Sequence, residues 1–254
     1  MQSAQVQIII VGGGPAGLGA ALHIARRLPH LAPHMLLLEA AEHPRPKLCG
    51  GGVTVHGEAQ LRQLGIHVDV PAFTVNQVTF RLGARAFTVF SPGALRIIQR
   101  AEFDAALAHA VAASGIRLHA NERLLDIAPV PGGMRLTTHR GQYEAPIVIG
   151  ADGANSTVRQ KLGLHHHLGV ARLLRILTPV DPRQNAAWRE KTAVFDFTCV
   201  THGIQGYAWD FPCYVDGAPF MNRGIFDSRI DPPPAGRRIN LKQAFAHELH
   251  ARAV

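Results

Sequence analysis

The sequence predicts an α/β fold: a parallel βαβ unit joined to an interleaved, mainly antiparallel β region. Three observations predict it. Val6 to Val11 is an apolar, β-rich run, as expected of a strand buried on both faces. The turn Gly12-Gly13-Gly14-Pro15-Ala16-Gly17 follows at once and opens into a helical segment, Leu18 to Arg27, before a second short apolar strand, Met35 to Glu39. After Leu164 the texture changes to strand-like segments, Leu173 to Val180, Ala193 to Val200, Tyr207 to Phe211 and Arg223 to Ile230, with few helices between. The expected domains are residues 1–164, with an inserted hairpin near 70–95, and residues 165–254.

The intervening elements follow in order. Glycine and proline make Pro44 to Gly52 a loop, and Val53 to Leu64 reads as a short helix. Val75 to Phe90 alternates as two strands around Gly83. Arg100 to Ser114 is a helix, with Phe103, Leu107, Ala110 and Val111 at helical spacing. Ile116 to His119 is a further strand of the parallel sheet. Leu124 to Ile149 is a meander broken at Pro131-Gly132-Gly133, its last strand being Pro146 to Ile149. Asn155 to Leu162 begins a helix, Asp231 to Pro234 is a turn, and Asn240 to Ala253 is helical.

Composition excludes several classes. The chain has 254 residues, 47% hydrophobic and 17% charged, which suits a packed core rather than a disordered chain. The formal net charge is +8, but no run of five Lys/Arg and no nucleic-acid-binding motif accompanies it, so a nucleic-acid partner is not expected. Three cysteines, Cys49, Cys199 and Cys213, are too few and scattered for a disulfide framework or a zinc site, and the default setting is reducing and cytosolic. The run His165-His166-His167 lacks flanking ligands at metal spacing and reads as a polar loop. Val6 to Ala25 has the length of a membrane span, but four glycines and a proline between Gly12 and Gly17 break it into strand, turn and helix.

Two segments carry chemistry. Gly12-x-Gly14-x-x-Gly17 stands between a strand and a helix, the context its mechanism requires. Gly12 permits the tight turn, Gly14 lets the backbone approach a pyrophosphate, and Gly17 lets helix and strand pack closely. The helix N-terminus offers free N–H groups to the phosphates. Glu39, twenty-two residues after Gly17, ends the second strand, where a carboxylate accepts from ribose hydroxyls and repels a 2′-phosphate. That favours FAD or NAD over NADP. The second segment is Gly150-Ala151-Asp152-Gly153-Ala154-Asn155-Ser156, again between strand and helix. Asp152 there either contacts a ligand or caps the helix.

These segments, with Arg100-x-x-Phe103-Asp104, resemble the flavoprotein monooxygenase and reductase superfamily of the para-hydroxybenzoate hydroxylase fold. Lys47-Leu48-Cys49-Gly50-Gly51-Gly52 and Gly206-Tyr207-Ala208-Trp209-Asp210-Phe211-Pro212 resemble two segments of its geranylgeranyl reductase family. The resemblance implies a Rossmann-like FAD-binding domain with a substrate domain. Gly12, Gly14, Gly17 and Glu39 would hold the adenosine and pyrophosphate. Arg45 and Lys47 would lie on the flavin side, Arg100 would contact phosphate or ribityl, and Asp152 with Gly153 would touch FAD. Gly50 and Gly51 would run beside the isoalloxazine ring. Cys49, beside them, is either a participant in the reaction or a small buried hydrophobe. Tyr207, Trp209 and Phe211 alternate along a strand and line either a prenyl cavity or ordinary core.

The implied activity is reduction of carbon–carbon double bonds of an isoprenoid substrate, with NAD(P)H as electron donor and FAD as cofactor. A substrate held in lipid would bring a cytoplasmic protein to a membrane surface. A monooxygenase or halogenase, or a fragment without turnover, are the alternatives. Two departures stand out. The G-x-G that normally follows the aromatic segment is replaced by Met221, Asn222 and Arg223, with Gly224 next. The superfamily's late Gly-Asp loop has no counterpart in residues 213–254, so the fold is expected to be incomplete at the C-terminus and the chain to be the first part of a longer protein.

Overall fold

The computed structural model describes residues 6–164, 171–231 and 239–252. The histidine run and most of the turn expected after Asp231 lie outside them. In chain order the elements are β1 (Ile8–Val11), α1 (Pro15–Arg27), β2 (Met35–Leu38), β3 (Gly52–Thr54), α2 (Val55–Leu64), β4 (Ala72–Leu82), β5 (Arg85–Ile98), α3 (Arg100–Ala113), β6 (Arg117–His119), β7 (Leu124–Val130), β8 (Gly133–Thr138), β9 (Gln142–Ala145), β10 (Ile147–Gly150), α4 (Thr157–Lys161), β11 (Arg172–Pro179), α5 (Ala186–Arg189), β12 (Thr192–Asp196), β13 (Gly206–Val215), β14 (Ala218–Asp227) and α6 (Leu241–Ala251). Two compact units result. Among the described residues, the first gathers 6–46, 61–69 and 101–164, and the second 47–60, 70–100, 171–231 and 239–252.

The first unit carries a parallel sheet in the order β10-β1-β2-β6. All residues of β1 and β2 are buried, which is why these strands read as apolar runs rather than alternating patterns. Ile9, Val11, Leu36 and Leu38 meet Leu124, Ile127, Leu136 and Ala145 of the antiparallel sheet β7-β8-β9, together with Val158 of α4. Each such side chain contributes about 2 kcal/mol on burial. Helix α1 starts with Pro15 in its first turn and ends with Arg26 and Arg27, both favourable to the helix dipole. The chain leaves β1 toward β2 and β6 on one side and returns to β10 on the other. The C-terminal ends of β1 and β10 therefore diverge at a switch point, where doubly wound sheets receive ligands.

The second unit is a sheet in the order β11-β14-β13-β12-β4-β5-β3, antiparallel except where β12 runs parallel to β4. That pairing draws β4 and β5, expected as an insert within residues 1–164, into this sheet. Its strands are longer than the sequence suggests. The sequence expectation ends the Tyr207 strand at Phe211, before Pro212, yet β13 runs to Val215, because β12 pairs only as far as Asp210 and Pro212 needs no partner on that side. The hairpin closes on Asp216-Gly217, both at positive φ (49° and 77°), an Asp-Gly turn that fits the strand twist. Conversely, the strand expected to reach Val200 stops at Asp196. The Asp196 carboxylate accepts from Thr198 N–H at 2.9 Å and turns the chain into a 3₁₀ segment, Thr198–His202.

Helix α6 closes the unit by placing Leu241 and Phe245 against Cys199, Ile204, Ala208 and Ile225. Its cap is Asn240, whose side chain accepts from the N–H groups of Lys242 and Gln243. Arg252 follows it and pairs with Asp210 at 3.0 Å and Glu248 at 3.1 Å. Among the described residues no helix is long and apolar enough to cross a membrane.

Candidate nucleotide and flavin sites

The glycine turn is built by close approach. Gly12 has φ +110°, and a Cβ there would strike the Ala151 carbonyl; a Cβ on Gly17 would strike the Gly12 carbonyl. Larger residues at either position would push apart the end of β1, the start of α1 and the segment after β10. Gly14 is the N-cap of α1, and among the described residues no side chain caps that helix. The first N–H groups of a helix have no intrahelical partner, so this start is suited to an anion.

Glu39 lies beside it, 6% exposed at the end of β2. Its Oε2 accepts from Gly13 N–H at 2.7 Å and its Oε1 from Ala41 N–H at 2.9 Å. Arg45 reaches the same place, donating to the Gly13 carbonyl at 3.1 Å and approaching Glu39 at 3.4 Å and Asp104 at 3.7 Å. In this structure the Arg45 charge is therefore engaged by two carboxylates of the first unit. A carboxylate offers about four lone-pair directions, so Glu39 keeps capacity for hydroxyl donors. An uncapped helix start beside a buried carboxylate is the donor and acceptor set that an adenosine diphosphate group needs.

The segment after β10 resolves differently. Asp152 accepts from the Ser156 hydroxyl at 2.5 Å and from Val158 N–H at 3.1 Å, while Ser156 accepts from Arg159 N–H at 3.0 Å. Both oxygens of Asp152 thus serve the first turn of α4, the capping alternative open in the sequence. Gly153 is exposed, at φ +84°.

In the second unit, Lys47 is exposed, Cys49 half-buried, and Arg100 stands half-buried at the first position of α3. Gly51 has φ +80°, and its carbonyl accepts from Ile98 N–H at 3.0 Å. The segment is held by Asn222, which the sequence marked only as a departure from the G-x-G pattern, and by Arg175, which it did not mark at all. Asn222, fully buried, donates to the carbonyls of Cys49 and Gly50 at 3.1 Å each, and Arg175 donates to the Cys49 carbonyl at 3.2 Å. Asn222 also accepts from Trp209 Nε1–H at 3.0 Å. Asn222 and Gly224 stand opposite Phe211 and Trp209 in the β13–β14 register. The departure from the G-x-G pattern therefore places a carboxamide and a glycine against the aromatic residues. The available signal was the two-residue alternation from Asn222 to Gly224, which puts both on the face of Trp209.

Trp209 and Phe211 are buried in the core of the second unit, and Tyr207 is half-buried. Phe195 lies 5.3 Å from Tyr207 and 5.0 Å from Phe211 between ring centroids, and Phe80 continues the row to the exposed Phe87. Phe80, Leu82, Phe87 and Phe197 line an apolar groove of about 440 Å³ at the far end of this row. Burial raises the thiols of Cys199 and Cys213, to about 12 and about 11. Both are inert core residues, unlike the more accessible Cys49.

A further cluster escaped the sequence reading. Glu122, 1% exposed, accepts from the hydroxyls of Thr138 at 2.7 Å and Tyr143 at 2.8 Å, and lies 2.9 Å from His119 Nδ1. Nothing in the local pattern marks Glu122, because its three partners come from β6 and from the later strands β8 and β9.

Comparison with known proteins agrees with this architecture. The chain is 28% identical over 235 residues to digeranylgeranylglycerophospholipid reductase 2 of Methanosphaera stadtmanae, covering 87% of this chain and 56% of that protein. It is 28% identical over 206 residues to 3-hydroxybenzoate 6-hydroxylase 1 of Aquipseudomonas alcaligenes, covering 73% and 51%. The chain thus spans about half the length of these relatives. A geranylgeranyl bacteriochlorophyll reductase-like protein of Thermoplasma acidophilum shares the fold, with a TM-score of 0.77 at 22% identity over 97% of this chain and 62% of its own. The family model for the FAD binding domain matches residues 5–201, and the chain belongs to that family.

Proposed function

We propose that this chain forms the FAD-binding part of an oxidoreductase that saturates carbon–carbon double bonds of a polyprenyl substrate with hydride drawn from NAD(P)H. The observation that carries the proposal is the tie between Cys49-Gly50 and the aromatic strand through Asn222. It fastens a glycine-rich backbone, free of side chains at Gly50 and Gly51, to an apolar face. The relationship to a digeranylgeranylglycerophospholipid reductase supports the substrate class.

In this reading the α1 N-terminus with Gly12, Gly14 and Gly17 binds the pyrophosphate, and Glu39 binds the ribose. Lys47, Gly50, Gly51 and Arg100 are assigned to the ribityl and ring end, and Tyr207, Trp209 and Phe211 to the apolar substrate. FAD, when bound, supplies the hydride chemistry. The protein's own part is to hold the reacting groups, exclude water with aromatic side chains, and place Cys49 where its thiol can move a proton. Arg45, between Glu39 and Asp104, fixes the glycine turn. Asp152 and Gly153 shape the loop after β10. A lipid-borne substrate would be met at a membrane surface, toward which a net charge of +8 is attractive when the lipids are anionic.

The deciding experiment is anaerobic. The FAD-loaded chain is reduced with NADPH or NADH and mixed with a geranylgeranyl lipid, and the lipid is weighed by mass spectrometry. Addition of hydrogen to its double bonds supports the proposal. A monooxygenase is the second reading, favoured by the relationship to a hydroxybenzoate hydroxylase. Oxygen consumption coupled to NAD(P)H, with the lipid unchanged, selects it. Flavin binding without any turnover selects a non-catalytic role for this chain.

A further inference from the structure

We propose that the His119 imidazole, oriented by Glu122, reads the base of the bound dinucleotide by accepting the exocyclic amino group of adenine at Nε2. The proposal rests on the assignment of Glu39 to the ribose of FAD.

The strand order supplies the placement. Passing outward from the switch point, the C-terminal ends of β1, β2 and β6 carry the glycine turn, Glu39 and His119 in succession. Neighbouring strands lie about 4.8 Å apart, so two steps cover roughly 10 Å across the ends of the sheet. A nucleotide with its phosphate at the first end and its ribose at the second carries its base toward the third. The two outer ends are joined by backbone bonds: Glu39 N–H donates to the His119 carbonyl at 2.9 Å, Glu122 N–H to the Glu39 carbonyl at 2.7 Å, and Asn121 N–H to the Ala41 carbonyl at 3.1 Å. Asn121, at φ 51°, also donates from its side chain to Glu42 at 3.0 Å. His119 is thereby fixed relative to the ribose carboxylate.

The chemistry follows from Glu122. Burial raises the carboxyl, but the hydrogen bonds from Thr138, Tyr143 and His119 outweigh it, and the group is held below the usual carboxylate range. An ionised carboxylate only accepts, so His119 Nδ1 must be the protonated nitrogen. In the neutral ring this leaves Nε2 as an acceptor. The Tyr143 ring meets the imidazole edge-on, with centroids 6.0 Å apart, and limits its rotation. The His119 side chain is 36% exposed although its anchor is fully buried. A ring whose tautomer is dictated from below, with its acceptor left open, is suited to an amino donor and repels a carbonyl oxygen.

The test compares ligands on the full chain by calorimetry: FAD, flavin hypoxanthine dinucleotide, in which a carbonyl replaces the amino group, and FMN, which lacks the base. The wild type should bind FAD about tenfold tighter than the hypoxanthine analogue, the worth of one well-made hydrogen bond. His119→Phe should bring the two within about twofold and leave FMN affinity unchanged. His119→Gln, with both donor and acceptor, should bind both dinucleotides alike and guards against a folding defect in the first variant. A wild type that does not discriminate, or a His119→Phe protein that still does, overturns the proposal while leaving the FAD site intact. Failure of the wild type to bind FAD overturns the cofactor assignment together with it.

Discussion

Asn222 donates its carboxamide to the carbonyl of Cys49 at 3.1 Å, across 173 residues of chain. The same side chain serves Gly50 and Trp209, so one buried N–H and two partly buried carbonyls share it. Replacing Asn222 with Leu keeps the volume but leaves the Trp209 N–H and two carbonyls without it. Loss of a partner costs about 1–3 kcal/mol per buried group, with incomplete additivity, so a total loss of about 3 kcal/mol is expected by urea denaturation. Because Asn222 and Arg175 hold the Cys49 and Gly50 carbonyls, while Ile98 fastens the chain only from Gly51 onward, Asn222→Leu should also raise the accessibility of Cys49 in native-state thiol labelling. A variant labelled at the wild-type rate would show that the segment is held by other means.

Gly224 is required by the indole above it. A Cβ there would strike the Trp209 ring, and the Leu174 carbonyl lies 2.5 Å from the same point. Gly224→Ala should cost about 3 kcal/mol through overpacking, a fall in Tm of roughly 6–12 °C for a chain of this size. Trimming the ring with Trp209→Leu should recover only part of that loss, because the backbone carbonyl remains. Full recovery in the double variant would assign the whole conflict to the indole.

These positions show where the sequence was legible and where it was not. The βαβ unit was plain because its signals are local: an apolar run buried on both faces, a glycine turn, and Glu39 at a fixed distance. Strand limits in the second unit were harder, since Pro212 is tolerated only because the pairing of β13 with β12 stops at Asp210, a fact of pairing rather than of composition. Asp152 offered two roles from sequence, and only coordinates could place both oxygens on the start of α4. The partners of Asn222 and Glu122 were hidden for a common reason. Alternation places Asn222 on the face of Trp209, but its bonds to Cys49 and Gly50, like those of Glu122 to Thr138 and Tyr143, join segments far apart in the chain and leave no local pattern.

Cysteine reactivity separates along the same lines. Cys199 and Cys213 are fully buried with thiols raised to about 12 and about 11, whereas Cys49 is partly accessible. The thiolate is the reactive species, so iodoacetamide at pH 8 should modify the native protein at Cys49 alone and the unfolded protein at all three positions. Intact-mass analysis followed by peptide mapping reads the outcome. Native labelling at Cys213 would mean that β13 opens readily.

Glu122 gives stability a defined pH dependence. Hydrogen bonds from Thr138, Tyr143 and His119 outweigh its burial and hold its carboxyl below the ordinary range of a glutamate in the folded protein. The folded state therefore binds fewer protons there than the unfolded state, and the stabilisation is fully present above the unfolded value and lost as pH falls through the folded one. Glu122→Gln removes this contribution and leaves the Thr138 and Tyr143 hydroxyls with a weaker acceptor, at a cost of about 2 kcal/mol at pH 7. The difference in urea midpoint between wild type and Glu122→Gln should be widest at neutral pH and should shrink below pH about 4.5. The other carboxylates are common to both proteins and cancel in the comparison. A difference independent of pH would mean that the anion itself contributes nothing and that the cost lies in shape alone.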